Sequence, residues 1–168
     1  MIHVCSLARV HDTVATTKAS HMVTLLRTVD LVERPHGILA ENHLILGMDD
    51  IAEPIDGYTH PAEEHVHELI EFVRAWDRRS PLVMHCYAGI SRSTAGAFIS
   101  ACALNPQRHE AGIAQLIRRS SATAMPNPML VGHADRILKR EGRMIRAIQA
   151  LGPARLSHEG DPFRLDLE

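Results

Sequence analysis

Cys86 and Arg92 stand with five residues between them in the stretch Val83-Met84-His85-Cys86-Tyr87-Ala88-Gly89-Ile90-Ser91-Arg92-Ser93-Thr94. Hydrolysis of a phosphate monoester needs an in-line nucleophile, neutralisation of the non-bridging oxygens and a proton for the leaving oxygen. Cys86 can attack and carry the phosphoryl group as phosphocysteine. Arg92 has a planar fork that matches two phosphate oxygens. The backbone N–H groups of Tyr87, Ala88, Gly89, Ile90, Ser91 and Arg92 can bind the rest, because a tight loop feeding a helix N-terminus turns its amides toward one point. The same positive end favours a thiolate placed there. Gly89 and Ala88 let the chain curl around an ion without side chains in the way. The hydroxyl of Ser93 can donate to the Cys86 sulfur and ease its departure.

These residues need a strand to deliver the cysteine and a helix to start at the arginine. Residues 82–85 are apolar on both faces, as the central strand of a parallel sheet would be. A helix of small residues (Ala95, Gly96, Ala97) follows from Ser91 or Arg92 to about Leu104. Further strands are expected at 2–7, 21–26 and 43–48. Helices are expected at 9–20, with Ala8, Val10, Val14 and Ala15 inward, and at 109–120. A helix capped by Thr59, with Pro61 in its first turn, should run to Arg79 and bury Val66, Leu69, Ile70, Val73 and Trp76. One long helix should run from Pro128 to Ile148, with Ile145 inward and Gly132 and Gly142 weakening it. Residues 31–37 read as a turn-rich connection. Strands alternating with helices predict an α/β fold: a central, largely parallel sheet of about four strands flanked by helices. Residues 1–152 would form the domain. Residues 153–168 would form a C-terminal tail whose Phe163, Leu165 and Leu167 alternate and could dock as an extended segment. Ligands of such folds sit beyond the C-terminal strand ends. The loop after Cys86 and the long polar loop at 49–61 therefore share one sheet edge.

The rest of the chain narrows the class. It has 168 residues, 45% hydrophobic, with a net charge of −2. That balance offers no broad basic face for nucleic acid or anionic membrane. No apolar run reaches the roughly 18 residues a membrane span needs, and no signal-peptide pattern opens the chain. Cys5, Cys86 and Cys102 are few and widely spaced, which suits reduced thiols in a cytoplasm. Cys5 and Cys102 read as core residues, and each is a candidate partner for an oxidised Cys86. The twelve histidines show no ligand spacing: His65 and His67 do not share a helix face. No metal or cofactor is therefore expected. His85 reads as structural, its ring bonded to backbone and helping to hold Cys86 ionised.

His85 to Ser93 resembles the signature loop of the cysteine-based protein tyrosine phosphatase superfamily, HCxxGxxR[ST], with its CX5R core. The chain's length resembles the compact dual-specificity branch and its small bacterial relatives. The resemblance implies a phosphatase that works through phosphocysteine, with an aspartate as general acid and then base. Asp49 and Asp50 are the candidates, and in an extended pair only one can face the loop. Asp50 is favoured, because the family acid sits just past the third strand. Glu53 and Asp56 are weaker options. Asn127, in Pro126-Asn127, resembles a position that braces the loop. Phosphoinositide phosphatases of the superfamily often carry loop lysines, whereas Tyr87, Ala88, Ile90 and Ser91 are uncharged. That implies a phosphoprotein or a small phosphate monoester as substrate, for a chain acting as a monomer. A phosphoresidue-binding module without turnover and a rhodanese-like sulfurtransferase are the alternatives.

Overall fold

The computed structural model describes residues 1–30 and 32–167. Leu31, where the expected 31–37 connection begins, and Glu168, at the end of the tail, lie outside them. Five strands form the sheet: β1 Ile2–Ser6, β2 His21–Leu26, β3 His43–Gly47, β4 Leu82–Cys86 and β5 Phe163–Leu165. Their order is β3-β2-β4-β1-β5. β1 to β4 run parallel, and β5 joins β1 antiparallel, with Phe163 opposite Val4 and Leu165 opposite Ile2. The fifth strand adds to the four or so expected and is the tail segment docked in extended form. It comes from the alternating apolar residues near the C-terminus.

β4 lies between β1 and β2, and all five of its residues are buried. Successive side chains point to opposite faces. Leu82, Met84 and Cys86 accordingly enter the main core. Val83 enters a smaller cluster with Cys5, Val10, Val14, Met22 and Ile38. Helix α1 (Val10–Thr17) covers that smaller side and buries Val10, Thr13 and Val14. Ala8 and Ala15, expected inward, are exposed. On the main face lie α2 (Glu63–Ala75), α3 (Arg92–Leu104), α4 (Glu110–Ser120), α5 (Pro128–Ile137) and α6 (Arg143–Gln149). No helix of the described residues is long and apolar enough to cross a membrane.

Two helices differ from expectation for identifiable reasons. α2 starts at Glu63 and not at Thr59, because Thr59 pairs with Asp49: its N–H donates to Asp49 Oδ2 at 2.8 Å, and its carbonyl accepts from Asp49 N–H at 2.8 Å. α2 ends at Ala75, short of Arg79, where Trp76 turns extended and its indole N–H donates to Ser80 O at 3.0 Å. The expected single helix from Pro128 to Ile148 is two. Lys139, Glu141 and Gly142 all take positive φ. The buried Asp135 carboxylate accepts from Gly142 N–H at 2.6 Å and from Met144 N–H at 2.8 Å, capping the new helix. The break resets the phase, so Met144 and Ala147 are buried and Ile145 is only half-buried.

Candidate active site

β4 ends on Cys86 and α3 begins on Arg92, so residues 87–91 form the whole connection. Four of their five carbonyls accept hydrogen bonds from other segments of the chain. Tyr87 O accepts from Leu7 N–H at 3.1 Å, Ala88 O from Gly160 N–H at 2.9 Å, Ile90 O from Met125 N–H at 2.9 Å, and Ser91 O from Asn127 N–H at 3.3 Å. Thr94 Oγ1 adds bonds to Ile90 O at 2.5 Å and Ser91 O at 3.0 Å. Segments from four parts of the chain thus grip the loop from behind. Gly89 N–H points the other way and donates to Cys86 Sγ at 3.3 Å.

Gly89 has φ +73°, and a Cβ there would lie 2.8 Å from the backbone of Cys5 and Ser6. Neither the conformation nor the space admits a side chain. Gly89→Ala should therefore displace the loop and lower kcat about 100-fold, since misplacing reacting groups by 1 Å costs that much. Steady-state kinetics at unchanged secondary structure would check it. Gly160, in the tail, is held as tightly: its Cβ would meet Gly89 O at 2.9 Å.

Cys86 is buried, and its sulfur lies 3.1 Å from Ser93 Oγ. Arg92 is 5% exposed; one terminal nitrogen donates to Met48 O at 2.9 Å, while Nε has no hydrogen-bond partner. A buried guanidinium with an unspent donor is costly unless something arrives to accept from it.

The two aspartates separate cleanly. Asp49 is committed to Thr59 and pins the 49–59 loop. Asp50 faces the signature loop. Its Oδ1 accepts from Ser91 Oγ at 2.7 Å and from Asn127 Nδ2 at 2.9 Å, and its Oδ2 lies 3.8 Å from Arg92 Nε. Glu53 and Asp56 are exposed further along the chain. Asn127 is the hub: Oδ1 caps α5 by accepting from Met129 and Leu130 N–H, while Nδ2 also donates to Ile51 O at 3.0 Å. Its side chain ties the Asp50 loop to α5, and its backbone N–H holds the signature loop at Ser91 O.

His85 is fully buried in β4. Its Nε2 lies 2.8 Å from Thr24 Oγ1, which is also 2.8 Å from His43 Nε2. Burial pushes the His85 ring down from 6.5 to about 4. It is therefore neutral near pH 7 and gives Cys86 no formal charge. Because the unfolded ring takes up a proton below about 6.5 and the folded one does not, the stability from this group is full above that pH. It is lost as the pH falls toward about 4. His85→Gln, which keeps a polar group near the Nε2 position, should flatten the acid loss of stability by roughly 2 kcal/mol at pH 5. Urea midpoints measured at pH 7 and pH 5 would show it.

Thr24 and His43 were not among the expected site residues. The signal was a lone threonine in the otherwise apolar run Met22–Leu26, since a buried hydroxyl needs a partner. Arg27 and Asp30, at the end of β2, were also missed. They form a bidentate pair at 3.0 and 2.8 Å on the same sheet edge. The other two thiols are buried. Burial pushes Cys5 up to about 11 and Cys102 up to about 12, so both stay protonated.

A strand-loop-helix cradle with a cysteine, an arginine and a facing aspartate thus lies at one end of the parallel strands. The family model for protein-tyrosine phosphatase matches residues 56–123, which include the whole signature loop but neither Asp50 nor Asn127. No curated protein matches the chain. Among solved structures, DUSP15 is similar at 17% identity and TM-score 0.66, with 94% of each chain covered. Human DUSP28 is similar at 15% identity and TM-score 0.65, covering 83% of this chain and 89% of that one. PTPMT1 in complex with PI(5)P is similar at 15% identity and TM-score 0.62, covering 91% and 95%. The central part of the chain thus matches the protein-tyrosine phosphatase model, and the chain shares its fold with compact dual-specificity phosphatases of solved structure.

Proposed function

We propose that the protein hydrolyses phosphate monoesters, phosphotyrosine in proteins first among them and phosphoserine or phosphothreonine after it, through a phosphocysteine on Cys86. The observation that carries this reading is the convergence of Cys86 Sγ, the unspent Nε of Arg92 and the Asp50 carboxylate on one loop. The substrate's non-bridging oxygens sit on Arg92 and on the amides of residues 87–92, which the outward-bonded carbonyls leave free to point inward. Cys86 attacks phosphorus; the S–P bond forms as the P–O bond to the leaving group breaks. Asp50 gives its proton to the departing oxygen.

In the second step Asp50, now a carboxylate, takes a proton from water as that water attacks phosphorus. The S–P bond breaks, and Ser93 Oγ donates to the sulfur as negative charge returns to it. Asn127 and Ser91 hold Asp50 in place for both steps. The cation and amides already neutralise the phosphoryl oxygens, so the chemistry asks for no metal. The uncharged side chains of the loop and the Asp30-paired Arg27 support a monoester over a polyanionic head group.

The test is turnover of p-nitrophenyl phosphate in the presence of a chelator. Hydrolysis by the wild type and its loss on removal of the thiol support the reading. Tight phosphopeptide binding without hydrolysis would replace it with a binding module. Transfer of sulfur from thiosulfate to cyanide would replace it with a sulfurtransferase.

A further inference from the structure

Beside the phosphate loop lies a hollow of about 450 Å³ whose rim includes Asp50 and Ser91. Its walls are apolar: Ile51 from the Asp50 loop, Met125, Pro126 and Pro128 from the segment before α5, and Ile148 and Leu151 from the end of α6. Arg118 is the only basic side chain among the described residues lining it, and its guanidinium is spent. It donates to the carbonyls of Ala124, Leu151, Gly152 and Pro153 at 2.9–3.3 Å. Arg118 is thus a strut that holds the α6 end against the 124–128 segment, and it leaves no cation for an acidic ligand.

We infer that this hollow is a specificity subsite for an apolar side chain next to the phosphoresidue of a peptide substrate, an inference that rests on the phosphatase reading. Position is the first argument. A phosphoresidue seated over Cys86 has its leaving oxygen at Asp50. The peptide must then cross the rim that Asp50 and Ser91 form, and the neighbouring residue falls into the hollow. Size is the second. A volume of about 450 Å³ lies within the range of ligand pockets and has room for a leucine, methionine or aromatic side chain together with the peptide backbone that carries it. Charge is the third. The apolar walls and the spent Arg118 match an uncharged group and leave a glutamate or aspartate unpaired. An acyl chain fits the walls, but the further phosphates of a phosphoinositide head group that would precede it find no lysine in the loop.

Met125 is 57% exposed and Ile148 half-buried, and Met125 holds the loop only through its backbone N–H, which a side-chain substitution keeps, so both side chains can be changed with the loop's hydrogen bonds intact. The experiment compares phosphotyrosine peptides carrying leucine, glutamate or lysine at each flanking position, with p-nitrophenyl phosphate reporting the chemistry alone. The wild type should favour leucine over glutamate by about tenfold in kcat/KM at one flanking position. Met125→Glu and Ile148→Glu should erase that preference and turn it toward lysine, with p-nitrophenyl phosphate turnover unchanged.

Equal turnover of all peptides by the wild type, or a leucine preference that survives both substitutions, overturns the subsite while leaving the phosphatase reading intact. Phosphoinositide vesicles hydrolysed in a Met125-dependent way, with peptides treated alike, overturn it in favour of a lipid. If p-nitrophenyl phosphate is not hydrolysed at all, the phosphatase reading fails. The same peptides made with a non-hydrolysable phosphonate then decide the subsite by their dissociation constants. A tenfold leucine preference lost in Met125→Glu supports it, and indifference ends it.

Discussion

Cys86→Ser should lower p-nitrophenyl phosphate turnover by a factor on the order of 10⁴ or more, the scale seen when a catalytic nucleophile is removed. A serine hydroxyl at this position fills nearly the same space and can still bond to Ser93 Oγ. The loop should therefore keep its shape, because its grip comes from Leu7, Gly160, Met125 and Asn127 and not from the thiol. What is lost is the ionisable sulfur. At neutral pH an alcohol without a base beside it is a poor nucleophile, and no side chain is placed to take its proton: His85 is turned toward Thr24. The variant should also bind phosphopeptides as tightly as the wild type, since Arg92 and the loop amides are untouched. Comparing kcat with a dissociation constant separates these two effects.

Asp50→Asn should produce a different signature. Its cost comes from the proton that no longer reaches the leaving oxygen, so it should depend on how much that oxygen needs one. For an alkyl leaving group such as a serine side chain, the loss should be on the order of 10²–10⁴, the range for a positioned acid. For p-nitrophenol, which leaves well as an anion, the loss should be much smaller. Asparagine keeps a carbonyl that can accept from Ser91 and Asn127, so the scaffold should survive. Asp49→Asn removes charge from the carboxylate that holds Thr59 and should affect all leaving groups alike. A leaving-group series for both variants checks the assignment. If Asp49→Asn shows the steep dependence and Asp50→Asn the flat one, the acid is Asp49.

Much of the framework was legible because the relevant signals are local. β2 was readable as a continuous apolar run, and β4 as a strand buried on both faces, its alternation split between two cores. α3 was marked by small residues after the arginine, which let it lie close on the sheet. The choice between Asp49 and Asp50 could only be leaned on by analogy. What decides which one faces the loop is Thr59, ten residues away, with Asn127 on the far side of the signature helix. The misplaced start of α2 has the same cause: a threonine that looks like a cap is already bonded to Asp49.

The break between α5 and α6 was hidden because Ile137, Leu138, Ile145 and Ile148 keep apparent helical spacing. The buried Asp135 carboxylate, serving as a cap for the next helix, is a tertiary commitment that periodicity does not register. β5 was visible only as an alternation. Its antiparallel place at the β1 edge, and the approach of Gly160 to the back of the phosphate loop, depend on the whole sheet being present. The Thr24–His85–His43 chain likewise joins three strands and has no local pattern beyond a threonine in an apolar run.

The central claim is that the phosphoryl group passes through sulfur. Its most direct measurement is mass spectrometry of the protein quenched in acid during turnover of p-nitrophenyl phosphate, with fragmentation to locate any adduct. The expected result is the added mass of one phosphoryl group on the peptide containing Cys86, present in the wild type, enriched when hydrolysis of the intermediate is slowed, and missing from Cys86→Ser. Active turnover with no adduct on Cys86, or an adduct on another residue that persists in Cys86→Ser, would contradict it.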